Sequence, residues 1–286
     1  MRNIAEKKKY AFILMVILAV AAGVLMYMQK HAAEDATGTD IGISAGQAIL
    51  INGENGKVLY EKCADERAYP ASTTKIMTAL ITLETLEKND SPIDQIVEIP
   101  ASAEGVEGSS LYLKAGEKIS IEDLLYGLML VSGNDAAVAL SEIIGGSEEN
   151  FVNMMNARAK ELGCRNTHFA NPNGLFDEEH YTTARDMAMI SREAMKNPTF
   201  RGIVAATSHK SSREESDYVT FHNKNKTIFE YEGGNGIKIG YTQNSGRTLV
   251  ASSKRGNDSM ICVVMSAPDW FNDAYRLMDY GYVMVK

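Results

Sequence analysis

Ser72 and Lys75 stand three residues apart in Pro70-Ala71-Ser72-Thr73-Thr74-Lys75, a spacing that puts a hydroxyl and an amine on one face of a helix. A serine hydroxyl is inert near neutrality until a base takes its proton, and a lysine amine is that base only when uncharged. Burial at a helix start and a second cation nearby would both lower its pKa. The pattern therefore reads as a nucleophile with its base. The bland alternative, a helix cap followed by a solvated lysine, fits the same short string and is set aside only by what comes later in the chain.

Two further segments carry the complementary groups. Ser132-Gly133-Asn134 interrupts a helical pattern and offers a hydroxyl and an amide on a turn, and Lys238-Ile239-Gly240 supplies a second cation on a strand. The elements that must position them follow from periodicity. Ile76, Met77, Leu80, Ile81, Leu83 and Leu86 recur at helical spacing behind Ser72, with Pro70 tolerable in a first turn. Ser120 with Asp123 caps a helix through Leu130, and Asp135 to Ile144 is the next. Ser147 caps one through Leu162, and Thr183 with Asp186 one through Met195. Strands are expected at Ala48–Asn52 and Lys57–Glu61 around Gly53-Glu54-Asn55-Gly56, then at Gly236–Thr242, Arg247–Ser253 and Ser259–Ala267. A helix closes the chain from Asp269. Strands at both ends and helices between predict an antiparallel sheet covered by helices.

These three segments, in this order, resemble the penicillin-recognising serine enzymes with their Ser-x-x-Lys, Ser-x-Asn and Lys-Thr-Gly motifs. The flanking text, Leu124 to Ala139, Asn171-Pro172-Asn173-Gly174-Leu175 and Gly236 to Thr242, resembles the D-alanyl-D-alanine carboxypeptidases among the low-molecular-weight penicillin-binding proteins. The resemblance implies an α/β helix–sheet–helix sandwich with a helical lobe. It implies that Ser72 attacks the carbonyl of a terminal D-Ala-D-Ala bond while Lys75 takes its proton. Ser132 would carry a proton to the leaving amine, Asn134 would hold Lys75 and the substrate amide, and Lys238 would keep Lys75 neutral and attract the substrate carboxylate. Gly240, Tyr241 and Thr242 would line the substrate strand, with the backbone N–H groups of Ser72 and Tyr241 as the oxyanion hole. The implied partners are a peptidoglycan stem peptide and β-lactams, without cofactor or metal. One residue departs from the pattern: Ile239 occupies the place of the motif Thr, whose hydroxyl helps to hold the carboxylate. Thr242 is the expected substitute. The departure motivates one alternative, a weakly active or non-catalytic wall-peptide-binding or regulatory homologue. The nearest enzymatic rival is a β-lactamase, but the Glu-x-x-Leu-Asn string of class A lactamases does not occur between Asn134 and Lys238.

Tyr10 to Met28 is an uncharged, mainly apolar run, about 28 Å long as a helix and so matched to a bilayer. Arg2, Lys7, Lys8 and Lys9 precede it and only Lys30 follows closely, which puts the N-terminus in the cytoplasm and the remainder outside. A cleaved signal ending near Ala19-Val20-Ala21 would export the same part. The organisation expected is a tail over 1–9, an anchor or signal over 10–28, a linker over 29–46 and a catalytic domain over 47–286. The chain carries a formal charge of -8, and the basic N-terminus makes the exported part more acidic still, a poor match to nucleic acid. Cys63, Cys164 and Cys262 are too widely spaced for a zinc site or a disulfide framework. The string Gly42-Ile43-Ser44-Ala45-Gly46 matches a nucleophile elbow but lacks the strand and helix that an elbow needs. Asp177-Glu178-Glu179-His180 reads as a solvated loop, and Arg247 and Lys224 as surface cations.

Overall fold

A computed structural model describes residues 41–285 apart from 214, 215 and 217. The expected anchor over 10–28 lies outside the described residues. Among the described residues, no helix is long and apolar enough to cross a membrane.

In chain order the elements are β1 (Gln47–Asn52), β2 (Val58–Lys62), a 3₁₀ turn over Ala71–Thr74, α1 (Lys75–Lys88), β3 (Ile96–Glu98), β4 (Lys118–Ser120), α2 (Ile121–Tyr126), α3 (Asn134–Gly145) and α4 (Glu148–Glu161). Then follow α5 (Ala184–Ala194), α6 (Pro198–Ala205), β5 (Ser208–Lys210), β6 (Thr220–His222), α7 (Thr227–Glu230), β7 (Gly234–Thr242), β8 (Gly246–Arg255), β9 (Asp258–Met265) and α8 (Trp270–Met284). The predicted caps are made: Ser120, Ser147 and Thr183 each accept from a backbone N–H three residues on. Helix α6 was not foreseen, although Asn197 caps it and Pro198 occupies its first turn. Its eight residues are too few for a periodic apolar face to stand out.

Strands β2-β1-β9-β8-β7 form one antiparallel sheet in that order. Both faces are covered, and successive residues sort between two cores. Ile49, Ile51, Val250, Ile261 and Val263 face the helices α1 to α6. Leu50, Leu249, Ala251, Cys262 and Val264 face α8 with its Ala274, Leu277 and Met278. Each such aliphatic side chain contributes about 1.5–3 kcal/mol on burial, so a one-residue slip of any strand would exchange the two cores and is strongly disfavoured.

The linker reading of 29–46 does not extend over its last residues. Ala45 is fully buried, Ile41 and Ile43 lie on the α8-side core, and Ser44 donates to the buried Asp273 through N–H (2.9 Å) and Oγ (2.7 Å). That also disposes of the elbow string: Ser44 Oγ accepts from Asp269 N at the start of α8. It is an anchoring residue.

What this frame positions is the outer edge of the sheet. β7 is the last strand, and the 3₁₀ turn that carries Ser72 lies against it. Thr248 Oγ1 donates to Pro70 O at 3.1 Å, and a Cβ on Gly240 would stand 3.0 Å from Ser72 N. Any side chain at 240 would wedge the nucleophile turn away from the strand.

Candidate active site

Ser72 is carried by the 3₁₀ turn, entered through Ala71 at φ 47°. Left-handed backbone at a non-glycine residue costs on the order of 1–3 kcal/mol and persists where the surroundings over-determine it. Ser132 is another such residue at the site, at φ 69° and ψ 34°. It ends a π-helical turn over Gly127–Val131 that separates α2 from α3, which is why the helix expected through Leu130 stops early. Ser132 is 7% exposed, and its hydroxyl has no protein partner among the described residues.

The side chain of Lys75 is fully enclosed, and its Nζ touches Ser72 Oγ (3.0 Å), Asn134 Oδ1 (2.7 Å) and Asn173 O (2.5 Å). The orientation of the Asn134 amide is not arbitrary, because its Nδ2 donates to Glu107 O at 2.7 Å and leaves the oxygen facing the amine. Burial holds the Lys75 amine well below the usual lysine range. Lys238 pushes in the same direction and Asp135 opposes both. A neutral amine has two protons and one lone pair. Asn134 Oδ1 and Asn173 O can only accept, so they take both protons, and the lone pair is left for Ser72, the one neighbour with a hydrogen to give. The cage therefore aims the base.

Asp135, the residue after the Ser-Gly-Asn turn, holds the loop between β3 and β4 in place. Its carboxylate accepts from Leu111 N (2.8 Å), Leu113 N (3.2 Å) and Ser110 Oγ (2.6 Å). The segment 107–113 is thus clipped to the start of α3 from both sides, since Asn134 N also donates to Ser109 O at 2.7 Å.

Lys238 is 1% exposed and projects from β7 with its Nζ on Ile239 O at 3.0 Å. Burial, then Lys224, pushes its pKa down to about 7. Lys224 was read as a surface cation. It is exposed, yet its Nζ donates to Val131 O at 3.1 Å, one residue before Ser132. Arg247 is likewise solvent-facing, with its Nη1 on Pro268 O.

The structure thus brings Ser72, Lys75 and Asn134 into direct contact, with Lys238 close enough to act on Lys75 and Gly240 flush against Ser72. Ile239 is half-buried against the α8-side core. The expected substitute for the missing hydroxyl is otherwise engaged: Thr242 Oγ1 accepts from Ser245 N (3.0 Å) and donates to Ser245 Oγ (2.9 Å), closing the β7–β8 turn. Tyr241 is 63% exposed, with its backbone next to Gly240. Sequence reasoning missed Asn173 as a ligand of the amine, because the atom concerned is a backbone carbonyl and every residue has one.

The family described as D-alanyl-D-alanine carboxypeptidase matches residues 30–269. D-alanyl-D-alanine carboxypeptidase DacF of Bacillus subtilis is 41% identical over 230 residues, 80% of this chain and 59% of that protein, so the chain spans less than two thirds of this relative. The D-alanyl-D-alanine carboxypeptidase of Streptomyces sp. strain K15 is 34% identical over 260 residues, covering 85% of this chain and 88% of its own. The crystal structure of the Streptomyces K15 DD-transpeptidase superimposes with a TM-score of 0.79 at 33% identity, covering 86% of this chain and 99% of that one.

Proposed function

The chain belongs to the D-alanyl-D-alanine carboxypeptidase family, and on that premise we propose that it removes the terminal D-alanine from peptidoglycan stem peptides through an acyl-enzyme on Ser72, and that β-lactams block it covalently. The observation that carries the reading is the Lys75 cage, in which two pure acceptors leave the amine's lone pair to the serine hydroxyl.

The steps follow from the groups present. Lys75 removes the Ser72 proton as Oγ adds to the scissile carbonyl. The backbone N–H groups of Ser72 and Tyr241 receive the oxyanion, where donors count most because the charge develops only in the transition state. Ser132, whose hydroxyl is uncommitted, relays to the departing D-alanine amine the proton that Lys75 took from Ser72, so that Ser132 ends as a hydroxyl and Lys75 as a neutral amine. Lys238 attracts the terminal carboxylate, and the arriving anion raises the Lys238 pKa and fixes its charge. Water then releases the trimmed peptide.

The chain's charge asymmetry and apolar run over 10–28 support a tether in the cell membrane with the peptidase domain outside the cytoplasm. Ile239 alters only the carboxylate contact and leaves nucleophile, base and acid in place, so the catalytic reading is preferred to a non-catalytic binder.

Mass spectrometry of the purified full chain tests the proposal. The expected result is a penicilloyl adduct on Ser72, absent from Ser72→Ala, together with release of one D-alanine from a D-Ala-D-Ala peptide. An unlabelled Ser72 in folded protein would sink it, and rapid penicillin turnover would instead favour a lactamase.

A further inference from the structure

His180 lies outside the three catalytic segments, in a stretch whose acidic neighbours Asp177, Glu178 and Glu179 make it read as solvated loop. It is 2% exposed. Ala170 N donates to its Nδ1 at 3.0 Å, and its Nε2 lies 2.7 Å from Thr74 Oγ1. A backbone N–H can only donate, so Nδ1 is the unprotonated nitrogen and the single ring proton sits on Nε2, donated to Thr74. Phe169 flanks the ring edge-on at 5.7 Å. Burial pushes the His180 pKa down to about 4, which keeps the ring in this neutral tautomer. Asp177 raises it, and His168 and Lys75 lower it.

The two groups joined by the imidazole are telling. Thr74 sits between the nucleophile and the base on the 3₁₀ turn. Ala170 opens the loop that delivers Asn173 O to Lys75. That loop is braced internally by Asn171, whose side chain accepts from Gly174 N (2.7 Å) and donates to Leu175 O (3.0 Å). It meets the turn so closely that a Cβ on Gly174, at φ 85°, would overlap the Ala71 carbonyl. Thr78 Oγ1 adds a second tie, donating to Pro172 O at 2.6 Å.

We infer that His180 is a positioning residue for acyl transfer: it locks the loop over 170–175 to the nucleophile turn, so that Asn173 O keeps its hold on Lys75 and the amine's lone pair faces Ser72. The inference rests on the acyl-transfer reading above. Loosening the lock would let the loop withdraw and water reach the amine. Lys75 would then face Lys238 from β7 and Asp135 from α3 in a wetter setting, and its pKa would climb.

The test compares His180→Ala and His180→Gln in the full chain. The readout is the rate of Ser72 labelling by fluorescent penicillin, expressed per titratable site and followed against pH, with Tm recorded alongside. For His180→Ala we expect a rate lower by about tenfold or more, since small misplacements of reacting groups cost up to about a hundredfold. The acid limb of the profile should also move to higher pH. Glutamine, with one donor and one acceptor, should restore most of both. A purely structural role would lower Tm and the number of titratable sites but leave the limb where it was. An unmoved limb with a rate within about twofold of the wild type, or glutamine behaving like alanine, overturns the inference. If His180→Ala yields no labelled protein, Thr74→Val replaces it by deleting the acceptor and keeping the imidazole. The same limb shift supports the lock, and an unmoved limb overturns it. Failure of the wild-type chain to label would be a different result, striking the acyl-transfer reading itself.

Discussion

Lys75 and Lys238 are both cut off from solvent, 0% and 1% exposed, and both are depressed by burial, yet they are built for opposite tasks. Lys75 is caged by oxygens from three segments, two of which can only accept. Among the described residues, Lys238 Nζ rests on one carbonyl of its own strand and keeps unused donors. The difference shows what makes a buried lysine a base: a lone pair with one possible proton donor. A buried lysine without such a cage is a cation waiting for an anion. Both depressions serve this division, because a lowered pKa frees the lone pair of the amine beside the hydroxyl while Lys238 regains its charge when an anion arrives.

The sharpest way to break the comparison is Lys75→Met. Removing a general base costs about 10²–10⁴ in rate, and we expect Ser72 labelling to fall to the upper end of that range. Methionine keeps the length but leaves the Asn134 and Asn173 oxygens without the amine's hydrogens. A modest fall in Tm with the fold retained is therefore expected, a loss of at most about 1–3 kcal/mol for each unsatisfied acceptor. Loss of folding would show that the cage is structural.

Lys238→Met should separate binding from basicity. Losing a hydrogen bond to a charged group costs about 1.5–3 kcal/mol, so kcat/KM for a D-Ala-D-Ala peptide should fall by about ten- to a hundredfold, mostly through KM. The acid limb should move up, since Lys238 is the second cause of the low Lys75 pKa. Stability should move in the opposite direction. The folded-state pKa of Lys238, about 7, lies below its unfolded value of 10.5, so the unfolded chain binds the extra proton between those limits. Wild-type stability therefore rises with pH across that window, and Lys238→Met should flatten the rise.

Ile239→Thr asks whether the carboxylate site is under-equipped. Thr242 spends its hydroxyl on Ser245, so a hydroxyl at 239 should add a contact that Thr242 does not supply. We expect a gain of about tenfold in peptide kcat/KM. No gain would place the carboxylate elsewhere along β7.

How much of this was legible in the sequence depends on what kind of atom does the work. Side chains with distinctive chemistry at fixed spacing, Ser72, Lys75, Asn134 and Lys238, could be named, and so could the caps at Ser120, Ser147 and Thr183. An antiparallel sheet covered by helices followed from strands at both ends and helices between, and the resemblance supplied the sandwich. Asn173 O could not be named, because a carbonyl has no identity until the chain is folded. His180 was hidden by charged neighbours that turn outward while it turns in. The bonds from Thr242 to the Ser245 turn and from Lys224 to Val131 O were equally out of reach, since turn closure and carbonyl partners are not written in a residue's type.

Lys224 gives the finest test. It is the second cause of the lowered Lys238 pKa, after burial, and its own bond goes to Val131 O rather than to a partner of either buried lysine. In kcat/KM, which reports the free enzyme, activity needs a neutral Lys75, favoured by burial, and a charged Lys238, so the alkaline limb should lie near about 7, where Lys238 loses its proton. Lys224→Met removes a repelling cation, so Lys238 should hold its proton to higher pH. The alkaline limb should then move up by less than about one pH unit, while the acid limb, set mainly by the burial of Lys75, stays in place. Movement of both limbs together would mean that the loss of the Lys224 bond to Val131 O had shifted Ser132 instead. The two lysines would then share one environment rather than two.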